Sequence, residues 1–207
     1  MFFFSFRVFR YDENYSSDIS ILDNRIRNLF NLIDSCFIPD LSVSFFFNTD
    51  RFSSKSNIRS IINRCLMCSL LEYYLPLFSF SAYGYSLSLS SGHTTDAGVV
   101  GFVLSCEGLR IGLDIEHVDR TIPIKVAAYA SNNSDHLYYS DKLLSYWVLK
   151  ESIFKSRFHL NSLRDINLCP LMNGNNFSYS VCNDGNITLA TALKIDDHLI
   201  GFSIGDF

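Results

Sequence analysis

The most informative segment of the chain is Arg110-Ile111-Gly112-Leu113-Asp114-Ile115-Glu116. Its apolar, alternating character predicts a β-strand. Residues two apart in a strand point to the same face, so we expect Asp114 and Glu116 to share one face while Leu113 and Ile115 face the core. Two carboxylates on one face suit a hard divalent cation such as Mg²⁺, which prefers oxygen ligands.

A second informative segment, residues 147–155, has the sequence Trp-Val-Leu-Lys-Glu-Ser-Ile-Phe-Lys and lies in a helix predicted over 141–158. Trp147, Glu151 and Lys155 fall on one helical stripe, with Lys150 at its edge. We expect Glu151 to supply a third carboxylate or to act as a general base. The two lysines would neutralise phosphate oxygens.

Each segment also has an ordinary structural interpretation. Glu151 and Lys155 have the i, i+4 spacing of a common helix salt bridge, and Trp147 could serve only as a core anchor. An acidic pair on a strand is often a solvated sheet edge. The functional hypothesis therefore depends on the two segments being taken together.

The remaining pattern predicts a mixed α+β protein. Strands are predicted at 1–10, 41–45, 85–90, 98–104, 109–115, 177–181, 187–195 and 199–204, and helices at 18–37, 53–75 and 141–158. The strands at 98–104 and 109–115 are expected to form a meander, and Pro123 makes 120–124 irregular. The order of elements suggests two α+β halves, 1–110 and 111–207, that share an interface.

Composition excludes several classes of function. The 207 residues are 48% apolar and 18% charged, which is typical of a globular protein. A net charge of −4 provides no basic surface for nucleic acid. Arg7 and Arg10 interrupt the apolar start long before it could span a membrane, and a signal peptide is not expected there.

The six cysteines are scattered through apolar surroundings, which predicts reduced thiols in a cytoplasmic protein. Cys65 and Cys68 have C-x-x-C spacing, but no second pair lies at zinc-ligand spacing. We therefore expect both to face the core of a helix.

The strings Gly-Leu-Asp-Ile-Glu at 112–116 and Trp-x-x-Lys-Glu-Ser-x-x-Lys at 147–155 together resemble the two signature motifs of the 4′-phosphopantetheinyl transferases. The resemblance is to the surfactin-synthetase-activating and enterobactin-synthetase type. It implies two similar α+β halves related by a pseudo-twofold axis, each an antiparallel sheet with a packed long helix. The active site would lie at their interface, in a monomer.

The resemblance also implies a reaction and the residues that perform it. Phosphopantetheine would move from coenzyme A to a serine of an apo carrier protein in peptide or siderophore synthesis, releasing 3′,5′-ADP. Asp114, Glu116 and Glu151 would bind Mg²⁺, Lys150 and Lys155 would contact phosphate, and Glu151 with the lysines would be catalytic.

Further coenzyme A contacts implied by the resemblance are Arg59, Ser90, His93 and Thr94. Two alignments compete for the family's histidine position, one placing His93 there and the other Ser91. Arg59 and His93 could equally be an exposed helix charge and a solvated turn residue.

The chain departs from the family at several positions. Tyr83-Gly84-Tyr85 lacks the usual lysine, Val148 replaces a small polar residue, and the 117–146 segment is shorter than usual. These departures motivate an alternative, a diverged protein that binds coenzyme A or a carrier protein without catalysis. A metal-dependent phosphohydrolase is a third hypothesis, but it would require more His or Asp ligands than the sequence places.

Overall fold

The computed structural model describes residues 2–10, 24–25, 27–28, 58–77, 86–94, 97–105, 109–131, 143–157, 160, 162–170, 178–183 and 186–205. Strands in this part of the chain are β1 (Phe2–Arg10), β2 (Ser86–His93), β3 (Ala97–Ser105), β4 (Arg110–His117), β5 (Leu168–Pro170), β6 (Ser178–Asn183), β7 (Asn186–Ile195) and β8 (His198–Gly205). Helices with complete bounds are α1 (Ile58–Tyr74), α2 (Ile124–Ala130) and α3 (Leu143–Ser156). The prediction of a mixed α+β fold with antiparallel sheets is confirmed.

The chain divides into two compact units, Met1–Glu107 and Gly108–Phe207. In the first unit, β1, β3 and β2 form an antiparallel sheet in that order. Helix α1 packs against β3. The core of this unit includes Met67, Leu71, Leu89 and Phe102, each of which is 2% exposed or less. The alternation of leucine and serine in β2 directs its leucines to this core.

Strand β2 is buried more completely than its alternating pattern predicts. Ser88 and Ser90 are 0% and 1% exposed, as closed to solvent as Leu87 and Leu89. The strict alternation of residues 85–90 is typical of a half-buried strand, but both faces are buried over residues 87–90. Serine tolerates such burial because its hydroxyl is small and can be satisfied by one or two hydrogen bonds.

In the second unit, a five-stranded antiparallel sheet has the order β4-β8-β7-β6-β5. Helix α3 packs on β4, β8 and β7, and it approaches the sheet where two glycines leave room. A Cβ atom at Gly112 would overlap the Ser152 carbonyl, and one at Gly201 would come within 2.6 Å of the Val148 carbonyl oxygen. The Ser203 hydroxyl donates to the Ser152 carbonyl at 2.9 Å, which further fixes the helix.

The predicted meander is wrong at its last strand. Strand β4 belongs to the second sheet, where it pairs with β8 along its whole length from Arg110↔Gly205 to His117↔His198. A period-2 pattern predicts which residues face the core, but it does not name the pairing partner. Among the strands that the structure describes, the one carrying Asp114 and Glu116 therefore lies at an edge of the second sheet and pairs with β8.

Several element boundaries differ from the predicted ones. Helix α2 was not predicted: it begins directly after Pro123, whose carbonyl accepts hydrogen bonds from Val126 and Ala127 at 2.9 Å. Strand β5 was also missed, since it is short and ends at a proline, as edge strands can. Strand β2 extends to His93, into the predicted turn. The strand predicted at 41–45 and most of the helix predicted at 18–37 lie outside the described residues.

Two further sequence predictions concern α1 and membrane spans. Cys65 and Cys68 are free thiols on α1, and Cys68 lies within the core while Cys65 packs against it, which confirms their predicted core-facing role. No helix in the described part of the chain is long and apolar enough to cross a membrane.

Candidate metal and phosphate site

Asp114 lies on the face of β4 that is covered by α3. Its residue is only 4% exposed, and the Lys155 ammonium donates to its Oδ1 atom at 2.7 Å. A buried carboxylate requires a compensating charge or hydrogen bonds. Lys155 supplies that charge from the last turn of the helix, so the two segments predicted to act together are in direct contact.

Glu116 lies on the same face of β4 and is 5% exposed. Its carboxylate forms an ion pair with Arg120, four residues further along the chain. The guanidinium carbon of Arg120 in turn lies 5.9 Å from the ring centroid of Trp147 on α3, within cation–π range. Glu116 is thereby linked through Arg120 to the helix.

Glu151 on α3 joins these groups electrostatically. Burial raises the pKa of Glu151. The positive charge of Lys155 opposes this shift, the negative charge of Asp114 adds to it, and the positive charge of Arg120 opposes it. Charged groups on α3, on β4 and in the turn after β4 therefore all act on the Glu151 carboxylate. We call Asp114, Glu116, Arg120, Glu151 and Lys155 the charge cluster.

The solvated-edge interpretation of the acidic pair is wrong, because Asp114 and Glu116 face the helix and are almost completely buried. The interpretation of Glu151 and Lys155 as an ordinary i, i+4 helix salt bridge is also incomplete. The 2.7 Å ion pair of Lys155 crosses to Asp114 on the strand, while the lysine charge still lowers the pKa of Glu151.

Lys150 is placed differently from the sequence prediction. It is 0% exposed, and its ammonium donates at 2.8 Å to the carbonyl of Ala130, the last residue of α2. It also lies 5.0 Å from the Tyr146 ring centroid. A cation at a helix C-terminus is favourable, so Lys150 ties α3 to α2, and contact with a phosphate would require it to give up a buried hydrogen bond.

The coenzyme A residues predicted in the first unit lie at one end of β2. His93 ends the strand and is exposed, whereas Ser90 is 1% exposed and closed to solvent. Thr94 closes the β2–β3 turn, since its backbone N–H donates to the Ala97 carbonyl at 2.8 Å and its hydroxyl accepts from Ala97 N–H at 3.1 Å.

Arg59 is exposed on the first turn of α1. One turn later, the buried Asn63 amide donates to the Gly92 carbonyl at 3.5 Å, which attaches this part of the helix to the end of β2. The structure therefore brings the turn bearing Arg59 close to His93.

Two features of the second unit were missed by sequence reasoning. One is the ion pair of Arg120 with Glu116: Arg120 resembles an arginine often found shortly after the family's acidic motif, but this pairing was not predicted. The other is a histidine pair: His117 and His198 are partners at the end of the β4–β8 ladder, with ring centroids 5.4 Å apart and nearly perpendicular planes. Sequence spacing could not reveal it, because the two residues meet only through strand pairing.

No protein-family model matches the chain, and no curated protein matches it significantly. A function for the site therefore rests on its geometry and on the motif resemblance of its two segments.

The donor chemistry of the charge cluster fits Mg²⁺. Three carboxylates lie with two cations, so one formal negative charge is left over, and burial, with the charge of Asp114 beside it, raises the pKa of Glu151. Among the described residues, no three His, Cys, Asp or Glu side chains form a ready metal-binding group. Because Lys155 and Arg120 cover oxygens of Asp114 and Glu116, an ion would enter by displacing one or both.

Proposed function

We propose that the protein is a Mg²⁺-dependent 4′-phosphopantetheinyl transferase acting on carrier proteins or carrier domains. The observation that supports this most is the grouping of Asp114, Glu116, Glu151 and Lys155 from two distant segments into one charge cluster, in which Asp114 and Glu116 are buried. An isolated helix salt bridge or a solvated strand would not need this arrangement. The two segments that contain these residues resemble the two signature motifs of this family.

The proposed reaction moves phosphopantetheine from coenzyme A to a carrier serine. The serine oxygen forms a new bond to the phosphorus attached to pantetheine, the diphosphate P–O bond breaks, and 3′,5′-ADP leaves. Glu151 accepts the serine proton, directly or through a metal-bound water. Bound Mg²⁺ would offset negative charge on the diphosphate oxygens.

Within this proposal, Asp114 and Glu116 hold the ion together with Glu151. Lys155 moves from Asp114 to a phosphate oxygen, which requires a short swing because its ammonium is already at the site. Lys150 acts through the fold, since its ammonium fixes α2 against α3. Arg59, His93 and Thr94 contact the nucleotide part of coenzyme A, with Ser90 beneath them.

The proposed function includes the twofold arrangement that the resemblance implies. The units Met1–Glu107 and Gly108–Phe207 would be two similar halves related by a pseudo-twofold axis, with coenzyme A between them. A cytoplasmic monomer that modifies a carrier domain of a peptide or siderophore synthetase is the expected form.

A direct assay tests the activity. The protein is incubated with fluorescent coenzyme A, Mg²⁺ and an apo peptidyl carrier domain, and label on the carrier is measured. Asp114→Asn and Glu151→Gln should abolish labelling, whereas Asp197→Asn, an exposed turn carboxylate, should not. Labelling that survives in Asp114→Asn and Glu151→Gln would refute the assigned roles.

The second candidate function is binding of coenzyme A or a carrier protein without turnover. The observation that favours it is Lys150, whose ammonium is engaged by a backbone carbonyl. Coenzyme A binding in a calorimeter, combined with no label on a panel of apo carrier domains, would support this candidate over the enzyme.

A further inference from the structure

Arg120 occupies a fixed position beside the proposed metal ligands. Its own backbone N–H donates to the His117 carbonyl at 2.9 Å, and Val118 N–H donates to the Asp197 carbonyl at 2.9 Å. These two bonds hold the turn after β4 in one conformation. The side chain is therefore directed back to the strand, where it pairs with Glu116.

The guanidinium of Arg120 also reaches α3. It lies 5.9 Å from the Trp147 ring centroid, one helical turn before Glu151, and its charge lowers the pKa of Glu151. The Arg120 side chain thus pairs with Glu116 on the strand, lies near the Trp147 ring on the helix and acts electrostatically on Glu151. Lys155 plays the corresponding part for Asp114.

We propose that Arg120 is a resident counter-ion of the metal site, which holds Glu116 until a divalent cation displaces it. This inference rests on the proposed function, because it assumes that the carboxylates bind an ion. Mg²⁺ must approach a carboxylate oxygen to 2.0–2.1 Å, and a guanidinium paired to the same group competes for that position. Arg120 therefore weakens metal binding while it keeps the metal-free cluster together.

This role predicts two effects of opposite sign when Arg120 is removed. The metal-free protein should become less stable, because Glu116 stays buried without its cation. The affinity for the ion should rise, because a competitor and a nearby positive charge are gone. If Arg120 had only a structural role, its removal would lower both the stability of the metal-free protein and the affinity for the ion. The sign of the affinity change therefore distinguishes the two roles.

The test measures Mn²⁺ binding by the electron paramagnetic resonance signal of free Mn²⁺, without coenzyme A or carrier. In Arg120→Gln we expect the dissociation constant for Mn²⁺ to fall about three- to tenfold, a modest change because the pair is partly exposed. Trp147 is the only tryptophan in the chain, so its fluorescence should change on Mn²⁺ binding in the wild type as Arg120 leaves it. Arg120→Lys, which keeps the charge, should give an intermediate affinity and covers the case in which Arg120→Gln does not fold.

Arg164→Gln is a matched control. Arg164 also lies over an aromatic ring, 5.2 Å from the Tyr129 centroid, and donates to the Tyr129 carbonyl at 2.7 Å. It pairs with a backbone carbonyl and a ring instead of a cluster carboxylate, so its loss should leave Mn²⁺ affinity unchanged.

The outcomes separate this inference from the proposed function. Unchanged or weaker Mn²⁺ binding in a folded Arg120→Gln or Arg120→Lys protein overturns the counter-ion role, even if carriers are labelled. Tighter binding without carrier labelling supports the counter-ion role and refutes the transferase. A wild-type protein that binds no Mn²⁺ refutes both.

Discussion

At the scale of single residues, the buried carboxylates of Asp114 and Glu116 dominate the second unit. Each is about 5% exposed or less, and each is matched by one cation, Lys155 or Arg120. Removing one partner of a buried pair is costly because it leaves an uncompensated charge. The charge cluster is thus a stability element as well as a candidate site.

Lys155→Gln should therefore destabilise the protein. We expect a loss of about 2 kcal/mol in the free energy of unfolding, below the range for fully buried pairs because Lys155 is partly exposed. Chemical denaturation measures it, and Lys194→Gln, an exposed lysine on β7, serves as the control. Equal stability of Lys155→Gln and wild type would mean that the ion pair with Asp114 contributes nothing.

Cys68 provides a second residue-scale prediction. Burial raises the pKa of its thiol to about 12, and the nearby Glu72 charge reinforces the shift. Iodoacetamide at pH 8 should therefore leave Cys68 unmodified in the native protein and modify it in denaturant, as mass spectrometry of peptides would report. Rapid modification of the native thiol would contradict its burial.

The same shift links Cys68 to stability at high pH. Because the folded pKa lies above the unfolded one, the contribution of Cys68 is fully present below about pH 8.5 and is lost as pH rises toward 12.

The residue-scale predictions from sequence succeeded where a local rule applied. The period-2 rule placed Asp114 and Glu116 on one face, and the register with β8 agrees. Lys150 was expected at a phosphate, but its ammonium contacts the Ala130 carbonyl. That contact depends on α2, a helix the sequence analysis did not predict, so no rule confined to α3 could have found it.

At the scale of elements, the packing of α3 on the sheet depends on two glycines. Gly112 and Gly201 lie beneath the carbonyls of Ser152 and Val148, which leaves no room for a side chain. Gly112 belongs to the same strand segment as Asp114, so this segment both admits the close approach of the helix and carries a buried carboxylate. The position of Glu151 and Lys155 over β4 follows from this close approach.

Gly112→Ala should displace α3 from the sheet. We expect a loss of about 3 kcal/mol, at the upper end for an overpacked core, because the clash is with backbone. Ser203→Ala, which removes only the hydrogen bond to the Ser152 carbonyl, should cost about 1 kcal/mol. Thermal unfolding of both variants shows which substitution is the more destabilising. A Gly112→Ala protein as stable as wild type would refute the close packing.

The end of the β4–β8 ladder gives a prediction about acid. Burial lowers the pKa of His198, and the neighbouring His117 lowers it further. The unfolded chain then binds more protons below about pH 6.5, so stability should fall as pH decreases through the folded pKa. His198→Gln should flatten this part of the pH dependence, and an unchanged slope would show that His198 does not cause it.

The partners of elements were less predictable than the elements themselves. The strand containing Asp114 was predicted, but its pairing with β8 was not, since many strands of this chain share an alternating pattern. Helix α2 begins directly after Pro123, at the end of the 120–124 stretch that was expected to be irregular. Such choices depend on contacts distant in sequence, which periodicity does not contain.

At the scale of the whole molecule, the described residues form an α+β chain of two compact units, with a three-stranded sheet in one and a five-stranded sheet in the other. The sequence predicted the fold class because helical and strand periods alternate clearly along the chain. The similarity of the two halves remains part of the proposed function. Most elements of the second unit and the association of Asp114 with the helix segment were predictable, whereas the ion pair of Arg120 with Glu116 and the contact of Lys150 with Ala130 required the fold.

The central claim is that Asp114, Glu116 and Glu151 bind one divalent ion. Calorimetric titration of the wild-type protein with Mn²⁺ in the presence of coenzyme A tests it most directly, with Asp114→Asn, Glu116→Gln and Glu151→Gln measured in parallel. We predict a stoichiometry of one ion per chain and a loss of binding of at least tenfold in each variant. Binding that is absent in the wild type, or that is unaffected in any of the three variants, would contradict the account.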